Sequence, residues 1–233
     1  MIEYPCPFYS GAGGRLMEEF PLFPLHTVLF PGMPLRLHIF EERYKRMISL
    51  CLERQQPFGV VLIRRGAEAM GPVAEPFPVG CTARIVQVRR LENERMNIVA
   101  VGEERFRILS LNKEALPYLV SQIELYPLAN QHTNQVKQAS QRLRTWLLRY
   151  VRLLIEAGKG QFDPRELPNK PASLAYLAAT LLQMPTQQKQ QLLVIEDTLE
   201  MVETLLVDYR REVALLKTML DEKEQDRGSF SMN

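Results

Sequence analysis

Cysteine is scarce in this chain. Cys6, Cys51 and Cys81 are the only three in 233 residues, they lie far apart, and none forms a C-x-x-C pair. An odd, dispersed set excludes a disulfide framework. Cys51 and Cys81 sit in apolar surroundings and read as reduced core thiols, and a cytoplasmic location follows as the default expectation. An excess of one charge is missing too. There are 29 basic against 27 acidic residues, a formal net charge of +2, whereas a nucleic-acid-binding domain carries a marked basic excess. No apolar run approaches the roughly 18 residues that span a membrane. The N-terminal "MIEYPCPFYSGAGGRLMEE" lacks a basic start followed by an apolar stretch, so it does not read as a secretory signal.

The chemistry-bearing motifs are equally sparse. His26, His38 and His132 are the whole histidine supply; none belongs to an H-E-x-x-H or His/Cys cluster, and no metal site is expected. The glycines at Gly11 and Gly13 and the "GKGQ" at Gly158 do not fit the phosphate loop G-x-x-x-x-G-K-[ST]. No G-x-S-x-G elbow is present to expose a serine nucleophile. Glu41/Glu42 and Glu103/Glu104 are adjacent pairs, and adjacent helix residues do not face a common substrate. The expectation is therefore no catalytic residue, no cofactor and no metal.

What the sequence does hold is a sharply punctuated start. "FPLFPLHTVLFPGMPLRLHIFEERYKRM" (residues 20–47) contains four prolines and one Pro-Gly pair. Phe20, Phe23, Phe30 and Met33 each precede a proline and are pushed toward extended backbone. Pro31-Gly32 fits the central positions of a type II turn. Leu35, Leu37 and Ile39 then alternate with Arg36 and His38, the pattern of a half-buried strand. Next, Phe40, Tyr44, Met47, Ile48 and Cys51 recur at helical spacing, with Glu41 and Glu42 at the helix start where the dipole favours negative charge.

Farther on, "FGVVLI" reads as a buried strand, "VGCTARIVQVRR" and "RMNIVAV" as a hairpin around "LENE", and "FRILSL" and "YLVSQIELYPL" as further strands. Arg84, Arg89, Arg90, Arg95, Arg105 and Arg107 read as solvated strand faces paired to nearby glutamates, and Arg84 and Arg89, of opposite parity, need not share a face. After Leu128 the pattern turns helical. A long amphipathic helix carries Val136, Leu143, Leu147, Tyr150, Val151 and Leu154; Ser173 and Thr186 are expected caps. The last helix carries Leu199, Val202, Leu206, Tyr209, Val213, Leu216 and Leu220 in steps of three and four. The expected organisation is an N-terminal extension at 1–17, a β-rich subdomain at 18–128, an α-helical subdomain at 129–224 and a polar tail at 225–233.

Three stretches resemble the N-terminal, substrate-binding domain of Lon proteases. They are "PLFPL" (21–25) with "VLFPG" (28–32) and "LHIFEERY" (37–44); Gly80 with "TARIVQV"; and "NIVAVGEERFRI" (97–108). "PYLVSQIE" is similar to the family's closing strand, and the likeness runs over about 18–220. Glu42 stands where the family usually has proline, and a first-turn helix position accepts either. The resemblance implies an α+β chain, with a PUA-like β pseudo-barrel holding one early helix and then an α-helical bundle with a long last helix. It implies a stand-alone recognition domain without the ATPase and Ser-Lys protease modules. On that basis the expected function is non-catalytic protein binding. The chain would hold exposed apolar segments of unfolded or tagged proteins, with a protease or chaperone as a further partner and self-association through the last helix. Met33, held between Gly32 and Pro34 at the turn, is the candidate contact. RNA binding on the PUA-like β surface is the alternative; neither nucleic acid nor membrane is the expected partner.

Overall fold

The computed structural model describes residues 16–67, 74–158 and 167–229. Residues 1–15 of the expected extension and the last residues of the expected tail, 230–233, lie outside this set. The chain divides into two compact units. The first runs to Pro127 and takes in Met184–Val194; the second comprises Leu128–Gln183 and the chain from Ile195.

In the first unit the strands are β1 (Leu16–Leu25), β2 (Pro34–Ile39), β3 (Phe58–Arg65), β4 (Glu75–Pro76), β5 (Val79–Arg90), β6 (Met96–Asn112) and β7 (Leu119–Leu125), with helix α1 (Glu42–Glu53) after β2. β1 pairs antiparallel with β7 and parallel with β3, and the order β1-β7-β6-β5-β3 therefore returns to β1. Five strands close on themselves, although Arg84–Arg90 of β5 run past β3 and pair with β6 alone among the described residues. β2 and β4 hang on this ring, on β6 and β3. Leu16 and Met17, expected in the loose extension, begin β1 and pair with Glu124 and Ile123.

β6 is one strand of 17 residues where the sequence suggested two. Its first half, Met96–Val101, pairs with β2; its second half, Phe106–Asn112, pairs with β7 along the same edge. The gap between them is filled by the turn expected at Pro31-Gly32. The Met33 N–H donates to the Phe30 carbonyl (3.0 Å) and Gly32 has φ +81°, the signature of a type II turn. The turn is bonded to one residue of β6: Gly32 N–H donates to the Gly102 carbonyl (2.8 Å), and Gly102 N–H donates to the Met33 carbonyl (3.0 Å). A Cβ on Gly102 would lie 2.3 Å from the Phe30 carbonyl oxygen, so only glycine admits the turn here.

Two further residues of this stretch of β6 explain themselves by packing. The Phe106 ring is fully buried and fills the space that side chains at Gly59 and Gly80 would need. Arg105, expected on a solvated face, is 1% exposed. Its Nη1 donates to the Leu193 carbonyl (2.7 Å) and its guanidinium lies over the Tyr126 ring, because a buried charge must be hydrogen-bonded to be tolerated. Leu193 belongs to α4 (Thr186–Val194). That helix reads as part of the helical half in the sequence; here Arg105 and the bond from Gln190 Nε2 to the Val79 carbonyl (2.9 Å) fasten it to the strands.

In the second unit α2 (Asn134–Glu156), α3 (Pro171–Leu181) and α5 (Thr198–Ser229) pack on one another. Thr133 caps α2 through its side chain, accepting from Val136 N–H at 3.2 Å. α3 starts two residues before the expected Ser173 cap, because Pro171 occupies its first turn, where the missing N–H costs nothing. Asp197 caps α5 by accepting from Leu199 and Glu200 N–H, and Asn130 Nδ2 donates to its other oxygen (2.7 Å), so its carboxyl is held below the usual range. Tyr150 and Tyr209 meet edge to face at 5.2 Å, and the Tyr209 hydroxyl donates to the Ala178 carbonyl (2.9 Å). Beyond Val213, the expected stripe positions Leu216 and Leu220 are only half-buried.

Gly102→Ala is expected to destabilise the first unit by more than about 2 kcal/mol, since backbone must move. Gly32→Ala, which meets nothing within 4 Å, is expected to cost only about 1–2 kcal/mol from its left-handed φ. Urea titration of both variants measures this; equal losses would contradict the close approach at Gly102.

Candidate functional site

Successive strand residues point to opposite faces, so a groove lined by every residue from Arg36 to Glu41 runs along the edge of β2 and not over one of its faces. Such a groove, of about 210 Å³, lies in the first unit. Its apolar floor is Phe23, Leu25, Ile39 and Tyr44, all buried. The Phe23 and Tyr44 rings stack at 4.1 Å, nearly parallel, which fixes the floor to the start of α1. Arg36, His38, Phe40 and Glu41 form the rim.

Phe40 is the feature the sequence pattern misplaced. Its spacing groups it with Tyr44, Met47, Ile48 and Cys51 as the buried face of α1, and those four are buried. Phe40 is 49% exposed. It precedes Glu41, the N-cap, whose extended backbone keeps Phe40 out of the helix. The signal was present: a helix beginning at two glutamates leaves the residue before them outside its face. Phe40 stacks on His38 at 5.9 Å. His38 Nδ1 donates to Asn97 Oδ1 (2.6 Å), across the strand pair. Glu41 is neutralised by Arg43 at 3.0 Å.

Met33 is half-buried, and its side chain packs against the main apolar core of this unit. It stands just before β2 and Phe40 just after, so the two flank the strand at opposite ends; Met33 does not line the groove.

The strand parity of the arginines changes as well. The register of β5 on β6 shifts between Ile85 and Gln87, with Val86 as the extra residue. Arg84 lies opposite Val101 and Arg89 opposite Asn97, two positions on one face of β6. Arg36 opposite Val99 and His38 opposite Asn97 join them. This outer face carries Arg36, Arg84 and Arg89; Arg84 pairs with Glu103, and neither Arg36 nor Arg89 forms an ion pair with a described residue.

A second cavity, of about 400 Å³, lies beside β7 and is lined by Glu19, Ser110, Asn112, Leu116, Val120 and Gln122. Glu19 has φ +53° at an irregularity of β1. Neither cavity gathers reactive groups. Among the described residues no three of His, Cys, Asp and Glu come together to hold a metal. Among the described residues the buried hydroxyls of Ser121 and Ser140 find no hydrogen-bond partner, and so no base lies in reach of them there. Burial pushes the Cys51 thiol up to about 12 and raises Cys81 further. No helix among the described residues is long and apolar enough to cross a membrane. What the arrangement offers is a surface: an apolar slot, an exposed aromatic and a cationic sheet face.

The comparisons with known proteins agree with this fold. The profile of the ATP-dependent protease La (LON) substrate-binding domain matches residues 19–207. The chain belongs to that family. It is 27% identical over 208 residues to a Lon protease of Anaeromyxobacter dehalogenans, covering 86% of this chain and 24% of that one. It is 28% identical over 214 residues to a Lon protease of Paraburkholderia phytofirmans, covering 91% and 26%. The chain thus spans about a quarter of the length of these relatives. Among solved structures, the N-terminal domain of a Mycobacterium avium complex Lon protease superposes with a TM-score of 0.63 at 19% identity, over 82% of this chain and 97% of that one. A Lon N-terminal domain protein from Xanthomonas campestris gives 0.59 at 23%, over 81% and 96%.

With both thiols protonated at ordinary pH, Cys51 and Cys81 are expected to resist iodoacetamide at pH 8.5 in the folded protein and to react once it is unfolded. Peptide mass mapping reads this; rapid native labelling of either would contradict their burial.

Proposed function

We propose that this chain is a non-catalytic protein-binding module that holds exposed apolar segments of unfolded or tagged proteins in the service of proteolysis. It would act in the cytoplasm and deliver clients to a protease or chaperone. The observation that carries the reading is the apolar slot at β2 with Phe40 half-exposed on its rim, in a chain of the LON substrate-binding family. An aromatic at the mouth of a slot is the kind of anchor that dominates binding energy, and apolar floor residues reward an apolar guest at about 25 cal/mol per Å² buried. Met33 is the second contact in this reading, at the far end of β2. The PUA-like description of the β half finds its support in the closed ring of five strands. RNA binding on the β surface is not favoured, since Arg105 is interior and Arg84 is neutralised by Glu103.

Affinity for a permanently unfolded reporter protein tests the proposal. Phe40→Ser is expected to weaken binding about tenfold, a loss near 1.4 kcal/mol, with the fold unchanged because Phe40 is outside the core. Met33→Ser, with folding verified, is expected to weaken it less. Wild-type affinity in both variants would overturn this reading.

A further inference from the structure

β2 pairs with β6 along one edge only; among the described residues no strand pairs with its other edge. Among the described residues the N–H and C=O groups on that second edge of this six-residue strand have no strand partner, as is also true of Arg84–Arg90 of β5, but only β2 carries a groove along it. The groove lies along that edge. We propose that the free edge of β2 receives an extended segment of a client protein as an added strand, and that the segment alternates apolar with acidic residues. The proposal rests on the protein-binding reading above and specifies how a client is held.

The chemistry of the occupant follows from the two faces of β2. In an added strand, alternate side chains fall on opposite faces. One set would lie over the apolar floor at Phe23, Leu25 and Tyr44. The other would lie beside Arg36 and His38, which point to the outer face, with Arg89 on the same face two strands away. Arg36 is exposed and without an ion pair to a described residue, Arg84 on the same face is matched by Glu103, and Arg36 is thus the uncompensated charge beside the edge, so a carboxylate on the incoming strand is matched and a cation is repelled. The same charge argues against a second copy of this chain as the occupant. An antiparallel pair of β2 strands would bring Arg36 of one copy close to Arg36 of the other on the same face, the like-charge contact by which natural edges avoid self-pairing. Backbone bonds would then supply affinity and the alternating side chains selectivity, as in other strand-addition complexes.

The test uses the full chain and a fluorescent eight-residue peptide of alternating leucine and glutamate, read by anisotropy. Two further peptides carry N-methyl groups on the odd or on the even amides, which block hydrogen bonding along one edge or the other while leaving every side chain in place. Binding of the parent peptide, loss of binding with one N-methyl set and retention with the other are expected. Arg36→Glu, at an exposed position, is expected to weaken the leucine–glutamate peptide about tenfold and to strengthen a leucine–lysine peptide. Equal binding of both N-methyl sets, indifference to Arg36→Glu, or sedimentation showing that Arg36→Glu abolishes a dimer would each overturn the proposal. The unfolded reporter separates the two readings. If it binds wild type while the peptides fail, strand addition falls and client binding stands; if it fails as well, both fall.

Discussion

The contact between the Pro31-Gly32 turn and Gly102 organises the first unit. Two backbone hydrogen bonds hold the turn to a single residue of β6, at the point where the edge of that strand passes from β2 to β7. Were the turn elsewhere, β2 could not lie on Met96–Val101 while β7 takes Phe106–Asn112. The ring closes without β2, and β2 is carried outside it with an edge to spare. A missing side chain at Gly102 therefore determines where the unit keeps an open strand.

That placement connects fold to function. β2 delivers the chain into α1 through Phe40 and Glu41, and the extended backbone of the N-cap turns Phe40 outward. Tyr44, one turn into the helix, reaches back to stack on Phe23 of β1 and floors the slot. The slot's apolar floor belongs to the same cluster that holds the strands together, so a guest segment would extend the core outward by one strand. Under the proposed reading, a guest segment that is itself disordered would bear the ordering cost of binding.

Much of this was legible in the residues. The pre-proline phenylalanines, the Pro-Gly turn, the alternation of β2 and the helical spacing of α1 are local signals, and the family signatures fall on residues with local jobs. What escaped was set by distant partners. Arg105 carries the look of a surface strand residue; its interior position depends on Leu193, 88 residues away. Arg84 and Arg89 have opposite parity in the sequence and share a face only because Val86 bulges out of register with β6. α4 resembles its helical neighbours, yet a buried arginine and Gln190 tie it to the strands. Phe40 fits the 3.6 period of α1 by spacing alone, but it lies one residue before the N-cap, outside the helix. The candidate site was thus half visible: its floor lay in the apolar pattern, and its open edge could be seen only once β2 was known to have a single neighbour.

The account's central claim is that clients are held at the edge of β2. Hydrogen–deuterium exchange of the backbone amides, with and without a bound unfolded reporter, tests it most directly. Amides of residues 35–39 that exchange freely in the isolated protein are expected to become protected in the complex, in alternation along the strand. Unchanged exchange through β2, with protection arising at another surface, would contradict it.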